Sequence, residues 1–172
     1  MKTIEIKDFA ILLLLVICCS SQRMTNNFAA LAGQINVQLP NLFYPIGQDL
    51  IKLNNGVSSP NPTTGSIYSA KLTDRILNAD FNNDGLPDAA VILNIVYTGI
   101  GYFTNTVFIV LQDLKNGPYV TNGINLGIAT YKTDIFTLDY TNNNIIASFV
   151  DRLPGQPKAA LPTVPTYYTL KL

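Results

Sequence analysis

Ala89-Ala90-Val91-Ile92-Leu93-Asn94-Ile95-Val96-Tyr97 is the most telling segment of the chain. It is almost continuously apolar, rich in β-branched side chains and shorter than a typical helix. A run of this kind is a strand covered on both faces, because a half-exposed strand alternates apolar and polar residues. Thr98-Gly99-Ile100-Gly101 then turns the chain. Tyr102 to Leu114 comes next, with Phe108-Ile109-Val110-Leu111 as a second buried segment. The two runs predict a hairpin in the middle of a sheet.

On either side of the hairpin the same signals repeat at lower strength. Asp49 to Leu53 and Ser66 to Leu77 read as strands before it. Asn54-Asn55-Gly56 lies between them and suits a tight turn, since Asn and Gly accept positive φ. Ser58 to Gly65, with Pro60 and Pro62, is a loop. Beyond the hairpin, Asn116-Gly117-Pro118 and Thr121-Asn122-Gly123 are turns. Asp134 to Tyr140 alternates cleanly, Thr141 to Asn144 turns, and Ile145 to Leu153 returns, a second predicted hairpin. Residues 154–166 are rich in Pro and predict a loop. Thr166 to Leu172 closes the chain as a strand. Ahead of the sheet, Asn27 can cap one helical turn over Phe28 to Ala32 that Gly33 ends, and Pro40 and Pro45 break the segment after it. The expected fold class is mainly β, or α+β, with a single small antiparallel sheet or sandwich and a short N-terminal helical turn. No repeat of fixed period is present, which argues against a solenoid or a whole propeller.

Composition limits the chemistry. Of 172 residues, 48% are apolar and only 13% charged, and the formal net charge is zero, so there is a core but no basic stripe to capture nucleic acid. There is no His or Trp. The only Glu is Glu5 and the only cysteines are Cys18 and Cys19, all in the N-terminal segment. The rest of the chain therefore lacks the residue types that most often act as general bases, nucleophiles and transition-metal ligands. The expectation is a protein that is not an enzyme.

The N-terminal segment has its own logic. Lys2 and Lys7 precede an apolar run from Phe9 to Ile17 that is too short to span a bilayer, which takes about 20 residues. That is the layout of a secretory signal. Leu15-Val16-Ile17-Cys18-Cys19 resembles the lipobox of bacterial lipoproteins. The resemblance implies acylation of Cys19, with Cys18 as the alternative, and anchoring in a cell envelope. In the same resemblance, a residue other than Asp after the anchor, here Ser20, implies the outer membrane, facing the periplasm. The expected organisation is a leader over 1–19, a tether and lead-in over 20–45, and a β-rich domain over 46–172.

One motif carries a chemical suggestion. Asp80-Phe81-Asn82-Asn83-Asp84-Gly85-Leu86-Pro87-Asp88 has oxygen-bearing side chains at positions one, three, five and nine, with Gly at six. This is the spacing of a calcium loop, whose alternate residues turn oxygens toward one centre. The candidate ligands are Asp80, Asn82, Asp84, the Leu86 carbonyl and Asp88. Val91 stands where a helical calcium hand has its bidentate Glu, so a weaker structural site is expected. The other reading is an Asx-rich turn bonded to its own backbone.

Asp80-Phe81-Asn82-Asn83-Asp84-Gly85-Leu86-Pro87-Asp88-Ala89-Ala90-Val91 resembles the calcium loops of FG-GAP and VCBS-type repeats. Over residues 48–172 the chain is similar to a group of small bacterial lipoprotein-associated β domains. The matching parts are Asp88 to Val91, Gly99 to Phe103, Leu126-Gly127 and the Pro-rich stretch ahead of a terminal Tyr strand. The leading expectation is a non-catalytic envelope lipoprotein, a structural or interaction module with a structural calcium ion and a protein or glycan partner. A calcium-dependent adhesion or glycan-binding module is the alternative, and a metal-dependent hydrolase using Asp80, Asp84 or Asp88 is the third reading. Asp74-Arg75 and Asp151-Arg152 are expected to be surface charges.

Overall fold

The computed structural model describes residues 27–60, 68–97, 102–126, 137–153, 155–157 and 160–171. The apolar run Ala89 to Tyr97 lies in β5, Asp88–Tyr97, and its partner is β6, Tyr102–Leu111. They pair antiparallel without a break from Ala89↔Val110 to Tyr97↔Tyr102. The expected central hairpin is therefore present, although its turn, 98–101, lies outside the described residues.

The hairpin sits inside a larger sheet. β4, Tyr68–Ala79, lies on the free side of β5, and β3, Val57–Ser58, lies outside β4. Two short strands, β7 (Tyr119–Val120) and β8 (Ile124–Leu126), pair with different parts of β6. The two-residue period of β4 is only loosely kept, for a physical reason. Its register shifts between Leu72 and Ile76, where Thr73, Asp74 and Arg75 oppose Ile92 alone. The extra residues bulge outward, and Asp74 and Arg75 form an exposed pair 3.6 Å apart.

Both faces of β5 are covered. Ala89, Val91, Leu93 and Ile95 share one core with Phe108 and Val110 of β6. That core is closed by the helix over 27–38, here α1, by the 3-10 turn Leu39–Asn41, and by the ribbon of β1 (Phe43–Ile46) and β2 (Asp49–Lys52). Ala90 and Ile92 face the other way, with Val107 and Ile109. They meet a three-stranded sheet of β9 (Thr137–Thr141), β10 (Asn144–Asp151) and β11 (Val164–Leu170), in the order β11-β10-β9. The architecture is a mainly antiparallel β sandwich with a helical cover. Each fully buried aliphatic side chain on β5 contributes about 1.5–3 kcal/mol.

Several expectations change. Gly33 does not end the helix, which runs on to residue 38. Ile35 and Leu39 are fully buried and supply the apolar face, while Gly33 lies on the exposed side. Helical packing thus overrides one poor helix former. Pro45 does not break the chain but sits inside β1, which among the described residues is paired on one side only. The folded unit thus includes the expected lead-in from residue 27 onward. β11 begins at Val164, ahead of Pro165. Asp151-Arg152 is not a free surface pair, since both residues are partly buried and Arg152 Nε donates to the Ala160 carbonyl at 3.1 Å. Gly123 serves close approach rather than a special φ, because a Cβ there would lie 2.6 Å from the Phe108 ring.

The tight turns read from the sequence are as expected. Asn55 and Gly56 have φ of 51° and 82°, and Asn142 and Asn143 have 51° and 58°. The leader with Cys18 and Cys19, and residues 61–67 and 127–136, lie outside the described residues. Among the described residues, no helix is long and apolar enough to cross a membrane.

Candidate functional site

The Asp80–Asp88 loop joins β4 to β5 and folds by bonding its side chains to its own backbone. Asp80 accepts from the N–H of Asp84 at 3.1 Å and of Gly85 at 2.8 Å. Asn82 Oδ1 accepts from Asp84 N at 3.1 Å, and Asp84 Oδ1 from Leu86 N at 2.8 Å. Asn82 Nδ2 also donates to Asp84 Oδ2 at 2.9 Å. These are successive Asx turns, and each draws an oxygen toward the amides at positions five to seven of the loop. Gly85 has φ of 84°, a left-handed conformation that most side chains avoid, and its surroundings would leave room for a Cβ. The glycine is there for backbone freedom, not space.

Asp88 behaves differently. Its side chain is fully buried. Oδ2 accepts from Phe81 N at 2.9 Å, across the mouth of the loop, and Oδ1 accepts from Gln112 N at 2.9 Å, beyond the end of β6. One carboxylate therefore ties the loop, the start of β5 and the exit of β6 together. Burial pushes its pKa up, the two backbone N–H groups pull it down, and the charges of Asp84 and Asp80 push it up further, with a raised pKa as the net direction. Among the described residues, the Gln112 side-chain oxygen is buried with no hydrogen-bond partner.

The loop is also stapled from the β9–β11 side. Phe81 is buried, and Tyr140 packs edge-on against it with centroids 5.1 Å apart. The Tyr140 hydroxyl donates to the Asp80 carbonyl at 3.3 Å. Tyr140 is partly buried and engaged in holding the loop, so it offers little face to a sugar ring.

The five sequence-derived candidates thus fall into two groups. Asp80, Asn82 and Asp84 converge on one set of amides at the exposed rim, with the Leu86 N–H among them. Asp88 lies beneath, turned toward Phe81 and Gln112. Among the described residues, no group of three His, Cys, Asp or Glu side chains is arranged to hold a metal ion. The chemistry present in the loop is that of hard oxygen acceptors on a compact turn, with the rim oxygens engaged by N–H groups of the loop itself and the buried carboxylate fixing the frame. Sequence reasoning missed Gln112, 24 residues beyond Asp88, and the part that Tyr140, 60 residues beyond Asp80, plays at the loop. No local spacing could have pointed to either.

Comparison with protein-family models, curated proteins and solved structures gives no match to this chain. Its own residues therefore carry the functional reading.

Proposed function

We propose that this chain is a non-catalytic cell-envelope lipoprotein. It is a β-rich structural or interaction module, held by acyl chains on Cys19 at an outer membrane and facing the periplasm. Its Asp80–Asp88 loop takes a calcium ion as a structural brace. The observation that carries the non-catalytic reading is the use made of Asp88. This buried carboxylate has each oxygen engaged by a backbone N–H, one from Phe81 and one from Gln112, which is how an acid serves a fold. A catalytic acid needs access to substrate, and Asp88 is fully buried.

The anchor is supported by Lys2, Lys7, the apolar run to Ile17 and the Cys18-Cys19 pair. Acyl chains supply about 0.8 kcal/mol per buried CH₂, so the folded unit itself need not bind lipid. Calcium is supported by three carboxylates within nine residues. After burial, the charges of Asp84 and Asp80 also push the Asp88 pKa up. A cation at the rim would relieve this repulsion. Asp80, Asn82, Asp84 and the Leu86 carbonyl would hold that ion, with Asp88 behind them.

The test is expression of the full chain in a bacterium fed a labelled fatty acid. Wild type is expected to carry label and to sediment with membranes. Cys19→Ser is expected to lose the label and leave the membrane fraction, and Cys18→Ser to keep both. An unlabelled wild-type protein would overturn the anchoring.

A further inference from the structure

β11 is an outer strand of its sheet, and its seven residues, Val-Pro-Thr-Tyr-Tyr-Thr-Leu, carry no charge. It pairs with β10 through seven consecutive residues, from Asp151↔Val164 to Ile145↔Leu170. Among the described residues no strand pairs on its other side. Charges, kinks or coverings normally protect such an edge, because its free N–H and C=O groups are a template for another strand.

Pro165 fixes which backbone groups are free. A proline has no N–H to give, so an unbroken ladder holds Pro165 at a position whose backbone points away from β10. Strand geometry alternates, and Tyr167 and Thr169 share that direction. The outer edge of β11 therefore presents the N–H and C=O of Tyr167 and Thr169 and the C=O of Pro165. The Tyr167 side chain is 69% exposed. Beside it runs an open groove of about 410 Å³ whose lining includes Ser148, Val150, Pro165, Thr166 and Tyr167.

We propose that β11 is the interface for a second copy of this chain, the two strands pairing antiparallel across a twofold axis at Tyr167. This register suits the strand's own pattern. Tyr167 exchanges two hydrogen bonds with its counterpart. Each Thr169 N–H meets the Pro165 carbonyl of the other copy, so the missing N–H of Pro165 removes only one bond from each end. Antiparallel self-pairing is isologous, and an uncharged edge meets its own copy without like-charge repulsion. The two three-stranded sheets become one six-stranded sheet. The inference does not depend on acylation or on calcium.

The experiment is light scattering of the full chain bearing Cys18→Ser and Cys19→Ser, so that neither acyl chains nor disulfides join copies. The mass is expected to rise from monomer to dimer across the micromolar range. Thr169→Pro removes an outward N–H and Tyr167→Lys places a charge at the axis. Each is expected to weaken dimerisation at least tenfold while the circular dichroism stays that of the parent. A parent that remains monomeric throughout overturns the proposal, as does a dimer that survives Tyr167→Lys with its affinity unchanged.

Discussion

Two loops of this protein are built from the same residue types and come to different ends. Asp113-Leu114-Lys115-Asn116-Gly117 is an Asx turn in which Asp113 accepts from the N–H groups of Lys115 and Asn116 and from the Asn116 side chain. All its side-chain partners lie within three residues, and the turn is exposed from Leu114 to Asn116. The Asn116 side chain first, then the two N–H groups, hold the Asp113 pKa below its ordinary value. The Asp80–Asp88 loop has similar local bonds at its rim, but Asp88 is buried, reaches 24 residues along the chain and has its pKa raised. An Asp in a turn thus becomes structurally decisive when it is buried and joins segments distant in sequence.

Substitution at Asp88 is expected to disturb this contrast most severely. Asp88→Ala leaves the N–H groups of Phe81 and Gln112 without their acceptor, at a cost of about 2–5 kcal/mol, visible in denaturant unfolding. Asp88→Asn keeps the shape but turns an NH₂ toward one of the two donors, costing about 1–3 kcal/mol. The two variants separate lost volume from lost acceptors.

The pH dependence divides the two sites further, with opposite signs. Asp88 has a raised folded pKa, so its contribution is fully present below the unfolded value and is lost as pH rises through the folded one. The stability gap between wild type and Asp88→Asn is therefore expected to narrow as pH rises out of the carboxylate range. Asp113 has a lowered pKa, so any contribution it makes is present above the unfolded value and fades as pH falls. Unfolding series on Asp88→Asn and Asp113→Ala across that range read the two slopes.

Smaller effects are expected elsewhere. Asp80→Ala removes the acceptor for two exposed amides that water can satisfy, and is expected to cost about 0.5–1.5 kcal/mol. Gly33→Ala, on an exposed helical position with open space for a Cβ, is expected to stabilise by about 0.5–1 kcal/mol. Asp113→Ala is expected to lower the melting midpoint least of these aspartate variants.

The same distinction between local and distant partners explains what the sequence disclosed. The β5–β6 hairpin was legible because doubly covered strands are apolar almost throughout, as Ala89 to Val96 are apart from Asn94. The turns at Asn55-Gly56 and Asn142-Asn143 were legible because positive φ selects Asn and Gly. The rim of the loop was legible because Asx turns are local. The reach of α1 past Gly33 was not, since it depends on Ile35 and Leu39 meeting a core built from strands elsewhere. β7 and β8 are too short to carry a period and exist through their pairing with β6. Asp88's attachment to Gln112 and Tyr140's to Asp80 are tertiary, and nothing within a nine-residue window encodes them.

Calcium as a brace is tested by thermal unfolding of the full chain in millimolar Ca²⁺ and in chelator, with Asp84→Ala alongside. An ion at 100 times its dissociation constant stabilises by about 2.7 kcal/mol, which should raise the midpoint by several degrees. The expected result is a calcium-dependent rise in wild type that Asp84→Ala abolishes. Superimposable wild-type melts in the two buffers would contradict it, and would leave the loop as a turn held by its own Asx bonds, by Asp88 and by Tyr140.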